Sequence, residues 1–416
     1  MGRMFTLPLR LPNTDATHKN EHKHLGGAMD DQQFRQEVRA WLSAHFPSAL
    51  AGVNPLIFQG DARAAAASTD FQTWRQAMAD KGWGTPTWAK RYGGAELPEA
   101  QAQIIAQELA AIGAFNPIRS YGTMMLGPTL LEFGTEEQRL EHLPKISRHE
   151  LRWCQGFSEP GAGSDLASLQ MKCVDKGDHW LVSGQKIWTS GADQAGWCFA
   201  LVRTDTSVKH NGISFLLIDM ASPGVEARPI VLISGSTHFC EVFFNDVKVP
   251  KGNLVGQLNK GWTIAKRLLQ FERASLSEVK TDVVPLAPIA HAMLGTDPEG
   301  RIADPLLRGR ILHNAMRHAA YLQTVRRLSE EARHGGPNNG VSTLKNLWSG
   351  IVQRRAELMI EVQGFDGLGW SGEGYSKDGL EATRALLHSK AFSIYGGSYE
   401  IQNNITAKRS LGLPDR

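Results

Sequence analysis

Residues 155–168, QGFSEPGAGSDLAS, hold three glycines, a proline, three serines and two carboxylates, and little that a core could bury. Glycines let backbone N–H groups come close to a bound molecule, and Ser158, Ser164 and Ser168 add hydroxyls that both donate and accept. Such a surface suits a polar heterocycle or a phosphate. It has neither the G-x-G-x-x-G of a dinucleotide fold nor the G-x-x-x-x-G-K-[ST] of a P-loop, so neither class is indicated. A second stretch, GQKIWTSGA at 184–192, ends a strand-like run with Trp188 followed by Thr189, Ser190 and Gly191. An indole beside hydroxyls can lie against an aromatic ring while the hydroxyls bond its edge. The third feature is a carboxylate in an apolar seam. In TIAKRLLQFERASLSEV, Ile264, Leu268, Glu272, Leu276 and Val279 recur at spacings of three and four, which is one face of a helix. Glu272 interrupts that face, while Arg273 is turned about 100° away from it.

The elements that must position these residues are legible from periodicity. Phe34, Val38, Trp41 and Leu42 recur at helical spacing, as do Ile104, Ile105, Leu109 and Ile112, which predicts a helical domain over 30–150. Short β-branched and aromatic runs, HWLVSGQKIWTSG, WCFALVRTD, GISFLLIDM and CEVFFNDVKVP, predict an antiparallel β-domain over 151–261. Helical spacing returns over 262–416, interrupted by a loop at RHGGPNNGV. The expected fold class is α+β, mostly α, with the loop at 155–168 at the junction of helices and sheet, where a groove belongs. Residues 1–29 are expected to be a disordered extension, and His18, His22 and His24 within it a solvated tail rather than a metal site.

Composition narrows the partners. Lys and Arg total 45 against 42 Asp and Glu, so net charge gives no reason to expect nucleic acid or a membrane surface. No apolar run reaches the roughly 18 residues of a membrane span. Cys154, Cys173, Cys198 and Cys240 form no C-x-x-C pair and are expected as free thiols in a reducing, cytoplasmic compartment, without a metal or a disulfide framework.

Four motifs in fixed order, CQGFSEPGAGSDLAS, GQKIWTSGA, FFNDVKVPKGNLVG and IYGGSYEIQNNITAKRSLGLP, resemble the acyl-CoA dehydrogenase family from about residue 30 to the C-terminus. The resemblance implies a helical N-terminal domain, a central β-domain and a C-terminal four-helix bundle. It also implies FAD as cofactor, an acyl-CoA substrate, an electron-transfer flavoprotein as acceptor, and a homodimer or homotetramer. By the same resemblance, Phe157 and Ser158 contact the flavin pyrimidine edge, Ser164 lies near the pantetheine arm, and Trp188 flanks the ring. Ser190 then stands near flavin N5, with Thr189 beside it. Gln363, Gly364 and Gly367, in QGFDG, resemble the turn that holds the adenosine portion across a subunit interface, and Ser398 and Gln402 resemble C-terminal flavin contacts. The family's arginine before Phe-Gly is replaced by RIADPLLRGRILHN, which leaves Arg308 and Arg310 open as contacts of the pyrophosphate.

Forming a 2,3-double bond in an acyl thioester requires a base for the α-proton while a hydride leaves the β-carbon. Many members carry that glutamate after the tyrosine of the terminal motif, where this chain has Gly396; Glu400, further on, reads better as a solvated carboxylate. Isovaleryl-CoA and long-chain members place it before an arginine on the helix that opens the C-terminal domain, and LLQFERAS puts Glu272 there. Loss of the usual glutamate also fits a non-catalytic subunit of a hetero-oligomer, and the fold could run a flavin-dependent reductase or lyase reaction on a CoA thioester. The resemblance implies a branch of the family that acts on branched, long or otherwise unusual acyl groups, dicarboxyl and alicyclic ones included.

Overall fold

The structure, a computed structural model, describes residues 30–277, 285–333 and 340–414. The expected extension at 1–29, Val279 and the centre of the RHGGPNNGV loop lie outside the described residues. Helix α1 (Asp31–His45) starts where the Asp30 carboxylate accepts from the Gln32 N–H, and it buries Phe34, Val38 and Leu42, the i, i+4, i+8 stripe of an amphipathic helix. With α2 (Leu56–Gly60), α3 (Ala62–Ala67), α4 (Thr69–Asp80) and α5 (Glu99–Ala111) it closes a core around Trp74 and Ile105. Helices α6 (Gly127–Phe133) and α7 (Glu136–Ser147) turn toward the sheet. Thr135 and Gln138 form a reciprocal capping box at the start of α7. The Gln138 amide donates onward to the carbonyls of Gly252 (2.6 Å) and Leu254 (2.9 Å), which fastens this domain to the next.

The sheet contains β1 (Trp153–Gly156), β2 (Lys172–Asp175), β3 (His179–Ser190), β4 (Trp197–Arg203), β5 (Ile213–Asp219), β6 (Val225–Ile230), β7 (Phe239–Pro250) and β8 (Leu254–Val255), in the order β6-β7-β3-β2-β4-β5-β8 with β1 on β4. It is mainly antiparallel, as expected, but β1 pairs with β4 in parallel and β2 touches β4 in parallel at Lys172 and Arg203. The chain between β1 and β4, loop and hairpin together, is long enough for the crossover that parallel strands need. Alternation along β4 sends Phe199 and Leu201 into one core and Cys198, Ala200 and Val202 into another. The first of these is shared by all three domains, because Leu130 and Leu143 reach it from α6 and α7, Leu126 from the turn just before α6, and Ile264, Ala265 and Leu268 from α8 (Gly261–Ser277).

Beyond α8 the chain forms α9 (Leu286–Leu294), α10 (Pro305–Arg333), α11 (Val341–Gln363), α12 (Lys377–Ser389) and α13 (Tyr399–Ile405). Helices α10, α11 and α12 pack side by side with the short α9 and α13 against them, while α8 packs on β5 and α6. The domains are therefore joined by packing as well as by chain, and α8 carries both the shared core and Glu272.

Candidate active site

The loop at 155–168 is held from below by two buried cations. Lys186, fully buried on β3, donates to the Phe157 carbonyl (3.1 Å) and to the Glu159 carboxylate (2.8 Å). Glu159 also accepts from the N–H groups of Gln170 (2.6 Å) and Met171 (2.9 Å). A paired charge with its remaining lone pairs satisfied can stay ionised in a core, whereas one left alone could not. Arg203 holds the other end through the carbonyls of Ala167 (2.7 Å) and Leu169 (3.1 Å). Between these anchors Gly161 and Gly163 face open space and Ser164 is exposed. Ser168 closes the loop internally, donating to the Asp165 carbonyl (2.7 Å). The Phe157 ring is itself core, set edge-on against Phe199 and Phe215, so what this residue can offer a ligand is its backbone.

The end of β3 carries the second group of residues. Trp180, Val182 and Lys186 point inward by simple alternation, and Thr189 then points inward one position out of phase. The pairing of β3 with β7 slips between Lys186 and Thr189, and the extra residue is Trp188, left-handed at φ +60° and 54% exposed. A left-handed tryptophan costs about 1–2 kcal/mol, and such bulges re-aim side chains beside functional sites. The indole is set edge-on to Phe239 (6.2 Å), with much of its surface outward. The Ser158 carbonyl accepts from the Ile187 N–H (2.9 Å), so the loop lies directly on this strand end.

Ser190 and Glu272 both lie near a residue that the sequence did not single out. Tyr121 lies near the Ser190 hydroxyl, the Glu272 carboxylate and the Cys154 thiol. Its phenol is pushed above the ordinary tyrosine value by burial first, with the nearby Ser190 hydroxyl opposing the rise and Glu272 and Cys154 adding to it. Tyr395 approaches from the C-terminal turn, and its phenol is also raised, by burial and then by Tyr121. Glu272 is half-buried, one turn beyond the fully buried Leu268.

Gly396, next to Tyr395, is left-handed at φ +65° and faces open space. Gln402 is buried and donates to the Gly396 carbonyl (2.7 Å), while Ser398 caps α13 and donates to Glu400 (2.7 Å). Glu400 is exposed, and that bond holds its carboxyl below the usual range. The Gln363 to Gly367 segment packs on α11 and α12. Gly364 is left-handed at φ +59°, and a side chain at Gly367 would strike Ile360. Arg308 pairs with Asp297 (3.0 Å) and Arg310 with Glu361, so both arginines left open by the sequence are engaged within the chain.

Three residues expected at a flavin, Thr189, Gln363 and Gln402, have a buried side-chain oxygen without a hydrogen-bond partner among the described residues. A buried oxygen left so costs about 1–3 kcal/mol, and a heterocycle rimmed with donors and acceptors answers that need. The residues present therefore fit FAD.

The family descriptions agree with this architecture. The acyl-CoA dehydrogenase N-terminal domain matches residues 29–150, the middle domain 154–247 and the C-terminal domain 259–411. Among curated proteins, the acyl-CoA dehydrogenase IpdE1 of Mycobacterium tuberculosis is 37% identical over 92% of this chain and 98% of its own length. Among solved structures, the ChsE4-ChsE5 complex from Mycobacterium tuberculosis matches with a TM-score of 0.73 at 25% identity, over 95% of this chain and 100% of that one. The Tcur3481-Tcur3483 steroid ACAD shares the fold, with a TM-score of 0.74 at 24% identity over 93% and 98% of the two chains. Among the described residues no helix is long and apolar enough to cross a membrane. The chain belongs to the acyl-CoA dehydrogenase family, a family of FAD-binding oxidoreductases.

Proposed function

We propose that the protein dehydrogenates an acyl-CoA at its 2,3-bond, with Glu272 as the base that takes the α-proton. The observation that carries this reading is the placement of Tyr121, which neighbours both Ser190 and Glu272 and so puts a hydroxyl expected at the flavin and a carboxylate in one locality. When bound, FAD accepts the hydride that leaves the β-carbon. Thr189, Ser158 and the backbone of Phe157 would hold the heterocycle, Trp188 would cover it, and Ser190 would bond its edge. Ser398 and Gln402 shape the turn that closes over it, and Ser164, on the open rim, would meet the pantetheine arm. Gln363, Gly364 and Gly367 would serve the adenosine portion bound to a neighbouring copy, in a homodimer or homotetramer. Electrons would pass to an electron-transfer flavoprotein. The four buried free thiols suit a cytoplasmic enzyme, and the resemblance to isovaleryl-type members favours a branched or alicyclic acyl group. The test is anaerobic: purified yellow protein is mixed with a panel of acyl-CoAs and flavin bleaching is followed. No bleaching with any member, in protein that holds FAD, sinks the reading.

A second reading has a specific support, since the ChsE4-ChsE5 structure is that of a complex of two differently named chains. In that case this chain supplies Glu272 and Ser190 to a hetero-oligomer and turns over only with its partner. Flavin bleaching by the chain purified alone separates the two.

A further inference from the structure

The strands β6 and β7 are joined by a turn that leans on the C-terminal domain. Within it the Leu232 N–H donates to the Ser236 carbonyl (2.9 Å) and the Gly235 N–H to the Leu232 carbonyl (2.8 Å), so the turn closes on itself. Gly235 is left-handed at φ +78°, and a side chain there would come within 3.2 Å of the Trp370 indole. Trp370 precedes α12, where Arg384 and His388 stand four residues apart and so share one face. Between turn and helix lies a cavity of about 590 Å³, whose lining includes Ser234, Ser236, Trp370, Arg384 and His388.

That lining has one chemical character. Ser234 is 5% exposed, and its buried hydroxyl has no hydrogen-bond partner among the described residues. The Ser236 hydroxyl accepts from the His238 N–H (3.3 Å), which leaves its own proton to give. Arg384 lies over the Trp370 ring (5.5 Å) and donates to the Trp370 carbonyl (3.4 Å), and a guanidinium has five N–H donors to offer. His388 adds an imidazole, and the lining contains no carboxylate. A water would answer a lone serine. Two hydroxyls, a guanidinium and an imidazole around one space call for an anion with several oxygens, and the guanidinium fork fits a phosphate.

The place in the molecule suits a phosphate as well. β7 begins at Phe239, three residues beyond Ser236, and its ring is the one that Trp188 abuts. The cavity is therefore one short stretch of chain from the strand end expected at the flavin. Arg308 and Arg310, which the sequence left open for the pyrophosphate, are engaged with Asp297 and Glu361.

We propose that this cavity is a phosphate site, in which Arg384 and Ser234 are the main donors and Trp370 steadies the guanidinium. The phosphate belongs either to the cofactor's own diphosphate or to a separate phosphorylated molecule, and the recognition chemistry is the same. Nothing in it depends on Glu272 being the base.

The experiment uses the full chain loaded with FAD, inorganic pyrophosphate as the probe, and the variants Arg384→Gln and Ser234→Ala. Titration calorimetry reads the probe, and flavin passing an ultrafiltration membrane reads FAD release. With a separate molecule as occupant, wild type binds pyrophosphate while FAD is in place, each variant weakens that binding about tenfold or more, and FAD release is unchanged. With the cofactor's diphosphate as occupant, the loaded wild type does not bind the probe, and both variants release FAD about tenfold more readily. Pyrophosphate binding that neither variant weakens overturns the proposal, as does absence of binding together with wild-type FAD retention in both variants. Ser234→Ala decides alone if Arg384→Gln does not fold, because removing a buried hydroxyl that has no partner should leave the melting temperature at or above that of wild type.

Discussion

Two glycine-rich segments of this chain are held in opposite ways. The loop at 155–168 is fastened from beneath by Lys186 and Arg203, and its bonds run to β3, β4 and its own backbone. The segment from Gln363 to Leu368 keeps Gln363 Oε1 buried without a partner among the described residues, and it presents Phe365 at 88% and Leu368 at 73% exposure. Exposed apolar side chains gathered into one patch can mark an interaction surface. The loop is thus satisfied largely within one chain, whereas the turn leaves a buried oxygen and two apolar side chains without a partner among the described residues. On the proposed reading the loop holds the flavin ring and serves the chemistry, and the turn serves the adenosine end of the cofactor and the assembly.

That division is broken first at Glu272. Glu272→Gln keeps shape and hydrogen bonding but removes the proton acceptor, so flavin reduction by acyl-CoA should slow about 10²- to 10⁴-fold, with FAD still bound and the melting temperature nearly unchanged. Stopped-flow bleaching reads the rate; a wild-type rate returns the base to another residue. Next comes the pin beneath the loop. Lys186→Met leaves the buried Glu159 carboxylate without its cation, and breaking a buried pair from one side costs about 3–5 kcal/mol. Denaturant unfolding should show that loss, FAD should dissociate more readily, and adding Glu159→Gln should recover part of the stability. If FAD affinity is unmoved in Lys186→Met, the loop is not what holds the flavin.

Acid tests the seam between the helical domain and the sheet. His149 is nine-tenths buried, with a ring nitrogen 3.2 Å from the Pro117 carbonyl, and burial, helped by Arg152, lowers its pKa to about 4. The folded protein then binds a proton there less readily than the unfolded chain, whose histidines titrate near 6.5. Its contribution is complete above about pH 6.5 and is lost as the pH falls toward 4, to the extent of about 3 kcal/mol. Stability measured across that window should flatten in His149→Asn, a residue that tolerates the left-handed φ of +52° at this position. The turn gives a smaller effect. Phe365→Ser should raise the dissociation constant of the assembly about tenfold, since about 1.4 kcal/mol of apolar contact is enough for that, and sedimentation at falling concentration reads it. An unchanged assembly would mean that Phe365 lies outside the interface.

Periodicity made the domains readable because a helix stripe and a strand alternation are local properties. Phe34, Val38 and Leu42 announce α1 without reference to the rest of the chain. Lys186 was also within reach: it shares the inward parity of Trp180 and Val182, and a lysine at an inward position must find an anion. The slip at Trp188 was less visible, since GQKIWTSGA shows no glycine at the left-handed position itself. Tyr121 was illegible. RSYGTMMLG reads as an apolar turn with one aromatic, the π-helical turn that follows Tyr121, Gly122–Leu126, has no composition of its own, and the neighbours Ser190, Glu272 and Tyr395 are brought to it only by the packing of three domains. Motif order pointed to Glu272, but it could not say which residue of the helical domain lies near both that carboxylate and Ser190.

The smallest effect is expected at the other carboxylate near the terminal motif. Glu400 lies in the first turn of α13, exposed, where the Ser398 hydroxyl donates to it and the partial positive charge of a helix start favours its ionised form. That hydrogen bond, with Lys345 helping, keeps its carboxyl below the usual range, and a carboxylate stabilised as an anion is a poor proton acceptor. Glu272 stands instead beside Tyr121 and a core shared by three domains. Glu400→Gln should therefore leave flavin reduction within about threefold of wild type, the scale of a lost surface charge contact, and should affect only the fraying of α13. Amide exchange at Ile401 and Gln402, measured beside the stopped-flow rate, checks both halves. A drop in rate comparable to that of Glu272→Gln, with exchange unchanged, would move the base to the terminal motif and leave Glu272 a rim residue.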